Sequence, residues 1–193
     1  MSKLKLVVLG STRGSNLQAI IDEINSNNLQ AEISLVISNK KDAYILERAE
    51  NHNIKNLFIS AKGLTREEYD AKAMYEINKI NPDLVLLIGY MRIVSESFVN
   101  KYRGKILNVH PSLLPKHPGL MDLAVHQAVL DANDDESGCT IHQGSEEGEG
   151  GESVLQLKCK IAENDTAETL KAKVQKLETQ AWIDVIKNWS NKQ

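Results

Sequence analysis

The sequence predicts an α/β fold with a mostly parallel central sheet and an antiparallel edge. Through the first half, short apolar runs alternate with segments whose apolar residues recur every three to four positions, as strands and amphipathic helices do. Residues 84–88 form the most apolar stretch and show no polar alternation, which is typical of a central strand buried on both faces. Residues 153–161 alternate between apolar and polar side chains, which indicates an antiparallel strand beside one predicted at 139–142.

Local signals place each element along the chain. Strands are predicted at residues 4–9, 33–37, 57–60, 84–88, 105–110, 139–142 and 153–161. Helices are predicted at residues 17–24, 43–52, 65–80, 95–102 and 122–133, and a last helix starts at Asp165 or Thr166. Thr65 with Glu68 fits a capping box, and Ser95 is expected to cap the fourth helix. Because no linker, repeat or low-complexity tract divides the chain, residues 1–193 are expected to be a single domain.

Composition and charge narrow the class of protein. The 193 residues, 41% hydrophobic and 25% charged, are ordinary for a soluble globular protein with a sizeable core. The net charge of -3 argues against a nucleic-acid partner held on a broad basic face, although a local basic pocket for a phosphate is compatible with it. No apolar run approaches the roughly 20 residues of a membrane helix, and the N-terminal run is too short for a signal peptide. Cys139 and Cys159 stand apart from other metal ligands, so reduced thiols, no metal and a cytoplasmic location are expected.

The first candidate for chemistry is the end of the strand predicted at residues 105–110. Asn108 and His110 are two residues apart, so their side chains share one face of the strand. The prolines that follow stiffen the loop at the strand's carboxyl end, where open α/β sheets bind ligands. An amide donor beside a proton carrier suits chemistry on a carbonyl group. The alternative is a satisfied surface histidine beside a turn asparagine.

A second candidate is the glycine-containing turn at residues 10–16, between the first strand and the first helix. Such a turn presents free backbone N–H groups and the positive end of a helix, which together bind anions. The pattern matches neither a dinucleotide fingerprint nor a P-loop. The alternative is a tight turn in which Ser15 caps the helix.

The run Asn-Val-His-Pro-Ser-Leu-Leu-Pro at residues 108–115 resembles the signature of the folate-dependent formyltransferases, and the similarity extends from Leu6 to about Trp189. Within that family the chain resembles the branch that formylates glycinamide ribonucleotide in purine biosynthesis. The resemblance implies a Rossmann-like formyltransferase domain that takes a formyl group from 10-formyltetrahydrofolate, a cosubstrate, to the amine of glycinamide ribonucleotide without a metal. It makes Asn108 and His110 catalytic and allows a homodimer.

The resemblance also implies binding residues, each of which has a simpler reading. Ribonucleotide contacts are implied for Gly14, Ser15, Asn16 and Glu178, and folate contacts for Arg66, Met91, Arg92, Ile93, Val94 and Asn108. From the residues alone, a solvated surface charge is favoured for Arg66 and ordinary core for the 91–94 stretch, and Glu178 is also readable as a solvated charge. His126, on the fifth helix, is expected to be structural.

The chain departs from the family pattern at residues 143–152. Glu149 occupies the position of the family's catalytic Asp, and its extra methylene moves the carboxylate by roughly 1.5 Å. Gly144 and Gly148 replace apolar residues, and the surrounding glutamates repel one another, so the loop is expected to be mobile. Glu149 is the third predicted catalytic residue. The departure is also compatible with impaired activity, or with an error in this stretch of the sequence.

Three alternatives to this function follow from the same residues. A methionyl-tRNA formyltransferase shares the motif but needs a further basic domain, and a formyltetrahydrofolate hydrolase carries an additional N-terminal domain. A non-catalytic folate or nucleotide binder is favoured only by the altered loop.

Overall fold

The computed structural model describes residues 3–190, in which helices cover both faces of one seven-stranded sheet. The strands are β1 (Leu4–Leu9), β2 (Ala31–Ser38), β3 (Asn56–Phe58), β4 (Leu84–Leu87), β5 (Ile106–His110), β6 (Glu136–Gln143) and β7 (Ser153–Lys160). The helices are α1 (Ser15–Asn25), α2 (Tyr44–Asn51), α3 (Arg66–Asn78), α4 (Glu96–Lys101), α5 (Leu123–Asp131) and α6 (Ala167–Ser190). Within the described residues, no helix combines the length and apolar character needed to cross a bilayer.

The order of the strands confirms the predicted fold class. They lie in the order β3-β2-β1-β4-β5-β6-β7, with parallel pairing from β3 to β5 and antiparallel pairing from β5 to β7. The chain runs outward from β1 to β3 and then returns to place β4 on the other side of β1. Such a reversal opens a crevice at the carboxyl ends of the strands, where ligands bind in open α/β sheets.

The core explains why the central strands lack polar residues. Every residue of β4 is buried, because alternate side chains enter two apolar clusters on opposite faces of the sheet. Helices α1, α2, α5 and α6 cover one face, and α3 and α4 cover the other. The predicted buried central strand is therefore confirmed, one residue shorter than expected.

The N-termini of α1, α3 and α4 can be compared with the three caps predicted from the sequence. Thr65 and Glu68 form the capping box at the start of α3, with N–H to oxygen distances of 2.8 and 3.1 Å. Ser95 caps α4, as predicted. The Ser15 cap was wrong, because the N-cap residue of α1 is Gly14 and no side chain bonds there.

Candidate active site

One cavity of about 1210 Å³ lies at the carboxyl ends of β1, β4 and β5. Its wall includes every site residue predicted from the sequence except Arg66, namely Gly14, Ser15, Asn16, Met91, Arg92, Ile93, Val94, Asn108, His110, Glu149 and Glu178. The topology explains the gathering, since the loops after parallel strands meet at one edge of the sheet.

The turn after β1 is arranged to leave its N–H groups free. Its carbonyl oxygens are occupied: that of Thr12 accepts from the Ile45 N–H at 3.1 Å, and that of Arg13 from Arg48 Nε at 2.7 Å. The N–H groups of Gly14 and Asn16, in contrast, find no protein acceptor among residues 3–190. Unpaired N–H groups at the start of a helix are a ready anion site.

Gly14 is required at this turn for two reasons. Its φ of 68° lies in the left-handed region. A Cβ at this position would stand 2.5 Å from Cγ1 of Ile45, so α2 packs directly beneath the turn.

Glu178 approaches the same turn from α6. Its Oε2 accepts a hydrogen bond from Asn16 Nδ2 at 3.3 Å, and Thr179 donates to Asn16 Oδ1 at 2.8 Å. Burial raises the pKa of Glu178 to about 7, against the lowering effects of Asn16 and Lys171. The side chain therefore changes charge near neutral pH, next to the proposed anion site.

His110 is held between two hydrogen-bond acceptors. Its Nδ1 lies 2.7 Å from Glu149 Oε1, and its Nε2 lies 3.0 Å from the carbonyl oxygen of His117. A carboxylate and a carbonyl both accept hydrogen bonds, so each ring nitrogen faces an acceptor. The Glu149 carboxylate also accepts a bond from the Gly119 N–H at 2.6 Å. His110 is thus placed as a proton donor.

Asn108 stands beside His110 with its amide available. Both residues belong to β5, and their side chains point to the same face of the sheet. Within residues 3–190 the Asn108 side chain makes no hydrogen bond to the protein. A free amide next to a proton donor matches the predicted pairing of an oxyanion donor with an acid.

The loop at residues 143–152, expected to be mobile, connects β6 to β7. The N–H of Gln143 donates to the Glu152 carbonyl at 2.8 Å, and the Gly144 N–H donates to Ile106 at 2.9 Å. Two of its glycines are packed: a Cβ on Gly144 would stand 2.4 Å from Ile106, and one on Gly151 would stand 1.8 Å from the Gln143 carbonyl. Close approach of neighbouring chain segments therefore explains these two glycines, where the sequence suggested only lost anchors.

The stretch after β4 forms an apolar wall of the cavity. Met91 and Ile93 are 47% and 51% exposed, while Val94 is buried beneath them. The guanidinium of Arg92 lies 4.5 Å from the centre of the Tyr69 ring. Among the described residues, the N–H groups of Arg92 and Ile93 have no acceptor. An apolar wall with free backbone donors fits a flat ligand that has a polar edge.

Ser11 joins this wall to the turn at residues 10–16, which we call the anion turn. Its hydroxyl accepts from the Met91 N–H at 2.9 Å and donates to Asn39 Oδ1 at 2.6 Å. Its own N–H donates to the Gly89 carbonyl at 3.0 Å. Ser11 is buried, so the two loops are connected where solvent does not compete for the bonds.

Arg66 is the one predicted residue that the structure keeps away from the cavity. It lies in the first turn of α3, and its half-exposed guanidinium pairs with Glu67 at 3.4 Å. This placement matches the simpler interpretation of a surface charge.

The cavity also contains residues that the sequence did not single out for function. His126, expected to be structural, is 2% exposed and lines the cavity, with no partner for Nδ1 in residues 3–190. Burial and the nearby Lys171 lower its pKa, which favours the neutral ring. Lys171 and Gln175 line the wall from α6, about two turns and one turn before Glu178 respectively. Their spacing, a polar stripe on one helical face, is the signal that would have found them. No cluster of metal-ligating side chains occurs in the described part of the chain.

Comparison with known proteins agrees with this arrangement. Residues 4–186 match the sequence profile of the formyl transferase family. The chain belongs to the formyl transferase family.

This formyl transferase is similar to several named proteins and solved structures. It is 42% identical over 173 residues to phosphoribosylglycinamide formyltransferase of Escherichia coli, covering 89% of this chain and 80% of that protein. It is 43% identical over 175 residues to the trifunctional purine biosynthetic protein adenosine-3 of Chironomus tentans, covering 89% of this chain but 12% of that protein. The solved phosphoribosylglycinamide formyltransferase of Coxiella burnetii superposes with a TM-score of 0.90 at 37% identity, over 96% of this chain and 86% of the other.

Proposed function

We propose that this formyl transferase moves a formyl group from 10-formyltetrahydrofolate to the amine of glycinamide ribonucleotide, a step of purine biosynthesis. The observation that carries the proposal is the single cavity into which an anion turn, an apolar wall and the His110–Glu149 pair all open. The names of the relatives support the choice of substrates.

The ribonucleotide enters with its phosphate on the turn. The free N–H groups of Gly14, Ser15 and Asn16 bind the phosphate, and Glu178 accepts hydrogen bonds from the sugar hydroxyls. The substrate amine then projects from this end of the cavity toward β5.

The folate lies against the wall after β4. Met91, Ile93 and Val94 cover the flat face of the pterin, and the free N–H groups of Arg92 and Ile93 bind its amide edge. This orientation brings the formyl group toward the side chains at the end of β5.

Asn108 and His110 then perform the transfer. The Asn108 amide donates to the formyl oxygen, where negative charge develops as the amine attacks. His110 gives a proton to the departing folate nitrogen as the bond from that nitrogen to the formyl carbon breaks. The attacking amine loses a proton, which returns His110 to the charged form that Glu149 stabilises.

The test is a formyl-transfer assay with both proposed substrates, followed by mass spectrometry of the ribonucleotide product. Formylglycinamide ribonucleotide is the expected product. Parallel reactions replace the acceptor with methionyl-tRNA or with buffer. Formyl transfer to the tRNA, release of formate in buffer, or binding of both ligands with no turnover would each contradict the proposal and identify one of its alternatives.

Three further expectations belong to this proposal. Residues 1–193 act as one catalytic domain, the enzyme works in the cytoplasm on these two small molecules, and two copies associate as a homodimer. Light scattering of the purified protein measures the last of these.

A further inference from the structure

A second, smaller hollow of about 560 Å³ adjoins the anion turn on its outer side. We call it the basic hollow; its lining residues are Ser11, Thr12, Arg13, Lys40, Lys41, Asp42, Ala43 and Tyr44. Thr12 and Arg13 line both this hollow and the site cavity, so the two spaces border the same turn. A water molecule occupies about 30 Å³, so the hollow has room for a much larger group than one small ion.

The charged side chains that line the basic hollow are mostly positive. Arg13, Lys40 and Lys41 are exposed, and Asp42 is the one carboxylate among the lining residues. Within residues 3–190, none of these three cations lies within 4.0 Å of a carboxylate. This local excess of positive charge stands on a chain whose net charge is -3.

A fourth cation, Arg48, contacts the same aromatic ring as Arg13. The guanidinium of Arg48 lies 4.8 Å from the centre of the Tyr44 ring, and that of Arg13 lies 5.4 Å from the same centre. Arg48 bonds only neutral oxygens, those of Arg13 and Gln18, at 2.7 and 3.2 Å. Both guanidinium groups contact the Tyr44 ring, and within residues 3–190 neither lies within 4.0 Å of a carboxylate, so both are available to an anion.

We propose that the basic hollow takes the additional phosphates of a polyphosphate anion whose terminal phosphate sits on the turn. The substrate ribonucleotide has a single phosphate and fills only the turn, whereas a longer phosphate chain continues past Arg13 to Lys40 and Lys41. Such an anion competes with the ribonucleotide and leaves the folate wall free. The inference rests on the proposed phosphate position at Gly14, Ser15 and Asn16.

The experiment compares orthophosphate with inorganic tripolyphosphate as inhibitors competing with the ribonucleotide, in magnesium-free buffer. Tripolyphosphate is expected to inhibit the parent enzyme at least about tenfold more strongly. In the double variant Lys40→Gln/Lys41→Gln this advantage falls close to one, while the KM for the ribonucleotide stays within about twofold. The matched control is Lys176→Gln/Lys187→Gln, which removes the same charge from exposed positions of α6 and keeps the advantage.

Equal inhibition by the two anions in the parent enzyme overturns the inference alone. An advantage that survives in Lys40→Gln/Lys41→Gln overturns it as well. If orthophosphate does not compete with the ribonucleotide at all, the phosphate position of the proposed function is wrong, and the inference falls with it. A nucleoside triphosphate in a parallel arm separates the two sources: inhibition equal to that of tripolyphosphate assigns the hollow to nucleotides, and weaker inhibition assigns it to inorganic polyphosphate.

Discussion

The anion turn and the loop at residues 143–152 solve the same problem, holding a polar group in the cavity, in opposite ways. The turn presents backbone N–H groups, and its carbonyls are tied to α1 and α2. The loop presents one side chain, Glu149, whose two oxygens bond His110 and Gly119. The turn should therefore tolerate side-chain changes and fail when its backbone is altered, whereas the loop should depend on a single carboxylate.

The largest effect is expected for the two β5 side chains that act on the reacting groups. His110→Ala removes the proton donor and Asn108→Ala removes the oxyanion donor, so each should lower kcat by roughly 100- to 10,000-fold. Steady-state kinetics should show the KM for the ribonucleotide nearly unchanged, because neither residue touches the turn. His52→Ala, which alters an exposed histidine bonded to Gln18, serves as the control. Near-normal turnover in both site variants would remove β5 from the mechanism.

Glu149 tests whether the loop depends on a single carboxylate, because both of its oxygens accept hydrogen bonds. Glu149→Gln keeps the size but loses the charge that balances His110, and a fall in kcat of roughly a hundredfold is expected. Glu149→Asp is shorter by roughly 1.5 Å and cannot reach His110 and Gly119 together, so it too should be slower. The control, Glu146→Gln, neutralises an exposed glutamate of the same loop. Parent-like turnover in Glu149→Gln would assign the role to another carboxylate.

A pair of glycines compares the two regions directly. Gly14 and Gly148 both have positive φ, 68° and 87°, but a Cβ would meet Ile45 at the first and nothing within 4 Å at the second. Gly14→Val should therefore raise the KM for the ribonucleotide at least roughly thirtyfold, beyond the strain of about 1–2 kcal/mol that both variants share. Gly148→Val should leave that KM within a few-fold. Calorimetric folate binding retained by Gly14→Val would show that it folds, and equal KM values in the two variants would refute a backbone-built site.

The smallest effect concerns pH. Because the pKa of Glu178 is raised to about 7, its carboxylate is present above neutral pH and lost below it. The carboxylate is the better acceptor for sugar hydroxyls, so the KM for the ribonucleotide should fall about tenfold from pH 6 to pH 8. Glu178→Gln should abolish that dependence.

The same group gives a matching effect on stability. A carboxyl whose pKa is raised by folding stabilises the native state at low pH, and this stabilisation is lost as pH rises from about 4.5, its ordinary value, to about 7. Chemical denaturation of Glu178→Gln should show a gain in the free energy of unfolding above pH 7 and none at pH 4. An equal gain at both values would mean that Glu178 does not titrate as the burial implies.

Much of the fold was predictable because burial leaves a direct trace in sequence. The central strands are buried on both faces and so appear as continuous apolar runs, and the pairing of Asn108 with His110 follows from the period of two along a strand. The start of α1 was harder, since Ser15 is a common cap residue, whereas the chain begins the helix after Gly14, which has a positive φ and no side chain to mark the cap.

The rest of the site depends on contacts between distant parts of the chain. His126 looks structural on its own helix, and only the packing of α5 in the fold, against α6, places it in the cavity wall. Gly144 and Gly151 appear as lost side chains in the sequence, whereas in the fold they allow the chain to pass Ile106 and the Gln143 carbonyl. Arg66 was suggested only by the family resemblance, and in the fold it pairs with Glu67 and does not line the cavity.

The buried hydroxyl of Ser11 has a consequence for inhibitor chemistry. Because it joins the turn to Met91, the places proposed for the phosphate and the pterin are fixed relative to each other. A compound that carries an anion and a pterin on one linker would then meet both at a constant separation. The linker that spans this distance gains the most from effective concentration, and a chain a few atoms too short gains none. The linker length that gives the highest affinity would accordingly measure the distance across the cavity. Replacing Ser11 with alanine should make the dependence of affinity on linker length less sharp.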